Sequence, residues 1–244
     1  MAASHHFKST IECYDCHRHV RDLKAHRNEC PNSRKTISSV FKDPAQKQEK
    51  HEKKKYTKDH TDHYFLLDVS GSMSGSRLTK AKDTLSSIVT ELAEHDRLAI
   101  ITFDNHAFFK LKPRAVGQIK RQTELPGILA RIFAQGTTAL YDAIDLAVTQ
   151  IRDKEIRTII NVLTDGEDNA SKTTLASVEA LVAQYPKITL NIIHIGDVPN
   201  PPYQQLCIGR GSYFLIQEVE IVIRLRAVFL PSAVGAVVLE TPMY

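Results

Sequence analysis

The stretch HYFLLDVSGSMSG, residues 63–75, decides the fold. Its first part, HYFLL, has the length and composition of a buried strand. The run then leads straight into Asp68, Ser70 and Ser72 at alternate positions. Three hard oxygen donors therefore stand at the carboxyl end of a strand. The turn after Asp68 can aim Ser70 and Ser72 at one point while Val69 and Gly71 face elsewhere. Gly71 and Gly75 relax the steric limits of a tight loop. One of Ser72, Ser74 and Ser76 is expected to cap the helix that follows.

Outward from this stretch, strand-like and helix-like segments alternate. SRLTKAKDTLSSIVTELAEH places Leu78, Ala81, Leu85, Ile88, Val89 and Leu92 on one helical face. RLAIITFD and HAFFKLK read as two strands around a turn at Asp104 and Asn105. TALYDAIDLAVTQIRD reads as a helix, and IRTIINVLTD as the strongest buried strand of the chain. KTTLASVEALVAQY, ITLNIIHIG, PPYQQLCIG and SYFLIQ continue as helix, strand, short helix and strand. EVEIVIRLRAVF closes as a helix whose valine and isoleucine content also suits a strand. Repeated alternation with continuously apolar strands predicts an α/β fold, a parallel sheet with helices on both faces. Ligands of such sheets lie beyond the carboxyl ends of the strands. Asp68 and Asp165 both fall there, and the loop QGTTALYD, with Thr137 and Thr138, is expected to join them at one crevice.

One carboxylate, two serine hydroxyls, a threonine hydroxyl and a second carboxylate suit magnesium, which wants near-octahedral oxygen coordination and keeps some waters. The loops carry no soft donors, which disfavours zinc or copper there. Manganese is equally compatible with oxygen donors, and Asp165 can serve directly or through water.

DVSGSMSG, GTTALYDAI and VLTDGED, in this order, resemble the von Willebrand factor type A (vWA) domain with its metal-ion-dependent adhesion site (MIDAS). The resemblance runs from about residue 62 to about 236. It implies a doubly wound, Rossmann-like, mostly parallel central sheet with one antiparallel edge strand. It also implies that Asp68, Ser70, Ser72, Thr137 and Asp165 hold the metal. The function it implies is binding: a divalent ion with few charged protein ligands stays electrophilic and accepts an aspartate or glutamate from a protein partner. A partner carboxylate gains a charge-assisted bond in a shielded cleft.

Catalysis fits the residues poorly. A phosphoryl-accepting Asp68 lacks an aspartate two positions on, where Ser70 stands. Ser70 and Ser72 lack a glycine-flanked nucleophile elbow and a His-Asp relay. His106 falls in a hairpin, and His194 inside an apolar strand is expected to be a satisfied core histidine. The expectation is a non-enzyme.

Ahead of this body, CYDCHRHVRDLKAHRNEC offers Cys13, Cys16, His26 and Cys30. A Cys-x2-Cys pair followed by His and Cys four apart suits tetrahedral zinc. The set resembles small Cys-Cys-His-Cys zinc fingers, with His17 and His19 as rival ligands. Basic residues around it, Arg18, Arg21, Lys24 and Arg27, suit phosphates, while fingers of this ligand class also include ubiquitin binders. The expected organisation is a finger (1–32), a charged flexible linker (33–60), the vWA domain (61–238) and a tail (239–244). The linker is rich in lysine, glutamate and glutamine and poor in aliphatics.

Composition narrows the setting. Of 244 residues, 42% are apolar and 25% charged, as in soluble globular proteins. A net charge of +4 is too mild to dictate a partner. No segment approaches the roughly 18–20 apolar residues needed to span a bilayer. MAASHHFKST lacks the apolar core of a secretory signal, so an intracellular location, cytoplasmic and/or nuclear, is expected. Reduced thiols follow from that setting, and Cys207 is expected to be a buried core thiol. The leading expectation is an adaptor whose vWA domain grips an acidic partner residue while the finger engages a second target. The alternative is a nucleic-acid- or ubiquitin-binding factor in which finger and linker carry the main binding.

Overall fold

The computed structural model describes residues 11–12, 19–20 and 60–230. The chain divides into two compact units, Met1–Tyr56 and Thr57–Tyr244. In the first, β1 (Ile11–Glu12) pairs antiparallel with β2 (His19–Val20), with Ile11 opposite Val20. Cys13, Cys16, His26 and Cys30, most of the proposed linker and the tail lie outside the described residues.

The second unit runs β3 (Thr61–Asp68), α1 (Ser76–Glu91), β4 (Arg97–Phe103), β5 (Ala107–Ala115), α2 (Val116–Gln122) and α3 (Leu125–Ala130). It continues with α4 (Leu140–Thr149), β6 (Arg157–Thr164), α5 (Leu175–Val182), β7 (Ile188–Ile195), α6 (Pro201–Cys207), β8 (Tyr213–Ile216) and α7 (Ile221–Phe229). The strands form one six-stranded sheet in the order β5-β4-β3-β6-β7-β8. All pairs are parallel except β4 with β5, the antiparallel edge.

Alternate residues of β3 explain why its apolar run is unbroken. Phe65 and Leu67 pack under α1, α2, α3 and α7 on one face, with Leu85, Ile88, Ile119 and Leu225. Tyr64 and Leu66 pack under α4, α5 and α6 on the other, with Ile144, Val178 and Leu206. A strand buried on both faces has no solvent side to fill with polar residues. Between the central strands, Asn191 donates from Nδ2 to Asn161 Oδ1 at 2.8 Å, satisfying one polar pair inside this apolar layer.

Two features depart from the sequence reading. Residues 113–139 carry two short helices, α2 and α3, where the sequence suggested none; Pro126 is tolerated because it stands in the first turn of α3. The start of α1 is also different from expectation. No serine caps it: the N-cap is Gly75, at φ 85°, without a side-chain cap bond. The serines are engaged elsewhere, Ser70 and Ser72 with each other and Ser76 with Glu218. Glycine takes up such a positive φ without the Cβ clash that other residues meet.

Candidate metal centre

β3 and β6 are neighbours in the middle of the sheet, so their carboxyl ends place Asp68 and the loop starting at Asp165 side by side. The side chains then meet in a chain of hydrogen bonds. Asp68 Oδ1 accepts from the Ser70 amide at 2.7 Å, and Oδ2 accepts from Thr164 Oγ1 at 2.5 Å. Ser70 Oγ and Ser72 Oγ are 3.1 Å apart. Ser72 Oγ donates to Asp165 Oδ1 at 2.6 Å. Four of the five residues expected at the site are thus joined through hydrogen bonds, the first from the Ser70 amide and the others between side-chain oxygens.

Thr137 arrives by a different route. Gly71 N donates to Gly136 O at 3.1 Å, which ties the Thr137 loop against the serine loop. The Thr137 amide and hydroxyl both donate to Asn105 Oδ1, at 2.8 and 2.6 Å. Asn105, in the β4–β5 turn, positions this threonine beside the cluster. The neighbouring Thr138 is buried and donates its amide to Asn169 Oδ1.

Burial defines the electrostatics. Asp68 is fully buried, and desolvation pushes its pKa up to about 6 against the hydrogen bonds from Thr164 and Ser70. A carboxylate in that position is short of positive charge. The donor set is all oxygen, two carboxylates with neutral hydroxyls, and this chemistry fits magnesium or manganese. Among the described residues, no group of three or more His, Cys, Asp or Glu side chains is placed to hold a metal ion, so this candidate site depends on its hydroxyl donors.

Several supporting residues were not expected from the sequence. Arg77, in the first turn of α1, pairs with Asp165 through Nη1 and reaches Glu218 Oε2 from Nε at 3.3 Å. Lys80 joins Glu218 Oε1 at 2.9 Å, and the Ser76 and Lys80 contacts hold the Glu218 pKa down to about 2. Cations at a helix N-terminus oppose the macrodipole. Arg77 and Lys80 were therefore a readable sign of nearby anions. Thr164, Asn105 and Asp168 carried no such sign. Asp168 accepts from the Tyr141 amide at 2.9 Å, fastening the third loop to α4.

His194 Nδ1 lies 2.7 Å from Tyr213 Oη, and the residue is buried, as expected of a core histidine. His106 stands exposed in the β4–β5 turn.

Comparison with known proteins agrees with this architecture. Residues 64–167 match the von Willebrand factor type A domain family. The uncharacterized protein sll0103 of Synechocystis is 30% identical over 134 residues, 54% of this chain and 31% of the relative. The uncharacterized protein YfbK of Escherichia coli is 30% identical over 167 residues, 64% of this chain and 28% of the relative. Inter-alpha-trypsin inhibitor heavy chain H4 of Sus scrofa is 28% identical over 161 residues, 61% of this chain and 17% of the relative. The matched segment thus spans less than a third of each of these proteins. Among solved structures, a von Willebrand factor type A protein from Catenulispora acidiphila superposes with a TM-score of 0.58 at 17% identity, over 70% of this chain and 42% of that one. Proximal thread matrix protein 1 from the mussel byssus, with a zinc-occupied MIDAS motif, gives 0.57 at 18% identity, over 70% and 45%. The likeness to these structures is one of fold, and the family match falls on residues 64–167, from β3 to the loop after β6.

Proposed function

We propose that this domain binds magnesium or manganese through Asp68, Ser70, Ser72 and Thr137, with Asp165 reached directly or through water. When bound, the ion supplies a Lewis-acidic position for an aspartate or glutamate carboxylate of a protein partner. The observation that carries this reading is the continuous chain of hydrogen bonds from Asp68, through the Ser70 amide and the Ser70 and Ser72 hydroxyls, to Asp165. Neutral hydroxyls contribute donors without cancelling the charge of an ion, which leaves that charge for a partner's acid. Thr164 and the Ser70 amide orient the Asp68 carboxylate, and Asn105 holds Thr137 on the same face.

The role is binding rather than catalysis: His194 lies against Tyr213 Oη, and the Ser72 hydroxyl is taken up in the hydrogen-bond chain that ends on Asp165. The full chain acts as an intracellular adaptor. Its finger, with zinc on Cys13, Cys16, His26 and Cys30, engages a second target; this part rests on the spacing of those residues in the sequence. Two linked modules gain avidity when one complex presents both sites.

The test compares wild type with Asp68→Ala in magnesium, retaining any bound zinc. Wild type captures a partner that the variant loses, and neutralising one acidic residue of that partner abolishes the capture. Equal capture by both proteins would sink the reading.

A further inference from the structure

Asp165 has a buried carboxylate with both oxygens committed. Ser72 Oγ donates to Oδ1 at 2.6 Å, and the Arg77 guanidinium holds Oδ2. The Asp165 side chain is 0% exposed, so neither oxygen turns to solvent. The same guanidinium reaches Glu218 through Nε. One planar cation thus bridges an expected metal ligand and Glu218, a carboxylate 141 residues beyond Arg77 itself. A guanidinium can serve two carboxylates at once because its donors form a rigid fork, which a lysine ammonium lacks.

From this bridge we infer that Arg77 competes with the bound ion for Asp165, and that Glu218 sets the strength of the competition. The inference rests on the metal reading given above and concerns how tightly that site holds its ion. A divalent cation beside Asp68, Ser70 and Ser72 feels the positive charge of Arg77 at close range, and like charges in a shielded site repel. Arg77 also occupies one Asp165 oxygen. Removing the guanidinium frees that oxygen and removes the repulsion. Removing the Glu218 charge does the opposite, since Arg77 is left with Asp165 as its one anionic partner in the bridge. Glu218 stands on the short 3-10 turn Glu218–Glu220 that leads into α7. The ion site is therefore tied to the seating of the last described helix.

Arg77 is a tuning residue, and its signature is a pair of opposite effects. Manganese is titrated calorimetrically into the full chain, with Asp68→Ala as the blank for any other manganese site. Arg77→Gln tightens manganese binding by about tenfold, a change of about 1.4 kcal/mol. Glu218→Gln weakens it by a similar factor. In the Arg77→Gln background, adding Glu218→Gln changes affinity by less than about twofold, because the coupling runs through the arginine. Thermal melts of every variant without metal exclude unfolding as the cause.

Arg77→Gln binding manganese no tighter than wild type overturns the inference, as does Glu218→Gln binding no weaker. An undiminished Glu218→Gln effect in the double variant also overturns it, by showing that Glu218 acts without the arginine. If neither wild type nor Arg77→Gln binds manganese beyond the Asp68→Ala blank, the metal reading itself fails and takes this inference with it. Binding by wild type with no response to Arg77→Gln sinks the inference alone.

Discussion

Tyr203 donates its phenolic hydrogen to the backbone carbonyl of Gly166 across 3.0 Å, so a core residue of α6 holds down the loop that begins at Asp165. The side chain is fully buried, with the rings of Tyr141 and His194 edge-on to it. Burial raises the phenol's pKa, so it remains a donor across the physiological range. Tyr203→Phe keeps the packing and leaves the Gly166 carbonyl without this partner. The expected cost is about 1 kcal/mol of unfolding free energy. Urea denaturation checks it, and a midpoint unchanged from wild type would show that the bond contributes nothing.

Gly136 precedes Thr137 at φ 72°, a conformation that L side chains rarely adopt. A β-carbon there would come within 2.6 Å of Asn105 Oδ1, the atom that receives both Thr137 hydrogen bonds. Gly136→Ala therefore strains the backbone and pushes Asn105 away from Thr137. The strain costs about 1–2 kcal/mol, read by thermal or urea unfolding. Amide exchange at Thr137 is expected to accelerate in the same variant. Protection equal to wild type would contradict the role assigned to Asn105.

Burial lowers the pKa of His194 from its ordinary 6.5, against the opposing pull of Asp165 and Glu167. The unfolded chain thus takes up a proton that the folded chain refuses. Stability from this histidine is present above pH 6.5 and is lost as pH falls through the window below it. Asp68 works in the opposite sense, because its raised pKa favours protonation in the fold. The clean measurement is the difference between wild type and His194→Gln in metal-free buffer, where Asp68 is common to both. Between pH 7 and 5, wild type loses stability relative to the variant; parallel curves would refute the assignment.

Cys207 is 3% exposed at the end of α6, and burial pushes its thiol pKa up to about 12. The reactive thiolate is therefore scarce at neutral pH. Mass spectrometry after iodoacetamide treatment at pH 8 should find Cys207 unmodified in the native protein and modified in urea. Rapid native labelling would mean that α6 opens far more readily than its packing implies.

Much of this architecture was legible because its strands are buried on both faces. Continuous runs such as those of β3 and β6 are hard to mistake, and the helix faces of α1 and α4 repeat at helical spacing. Asp68, Ser70, Ser72 and Asp165 were legible for a related reason, since strand ends place their residues predictably. The short helices α2 and α3 escaped notice, as two turns of helix leave too little periodicity to read. The error over the serine cap has a physical source: local preference favours a hydroxyl at the N-cap, while Ser72 and Ser76 find carboxylates brought by distant segments. Glu218 illustrates the general limit. Its partners Ser76, Arg77 and Lys80 lie on α1, more than a hundred positions earlier, and only the folded structure reveals the pairing.

The antiparallel edge strand β5 has a consequence for how this molecule behaves in crowded solution. A parallel sheet must end somewhere, and an exposed edge invites pairing with another chain. β5 carries exposed Lys110 and Lys112, and Pro113 within it has no N–H to donate. Its register against β4 also slips between Leu98 and Ile100 and again before Ile101, which bends the strand. Charge, proline and irregularity together make a poor template for a docking strand. The opposite edge, β8, is a four-residue strand and offers little length to copy. Among the described residues, both edges of the sheet are thus poor templates for strand-to-strand self-association.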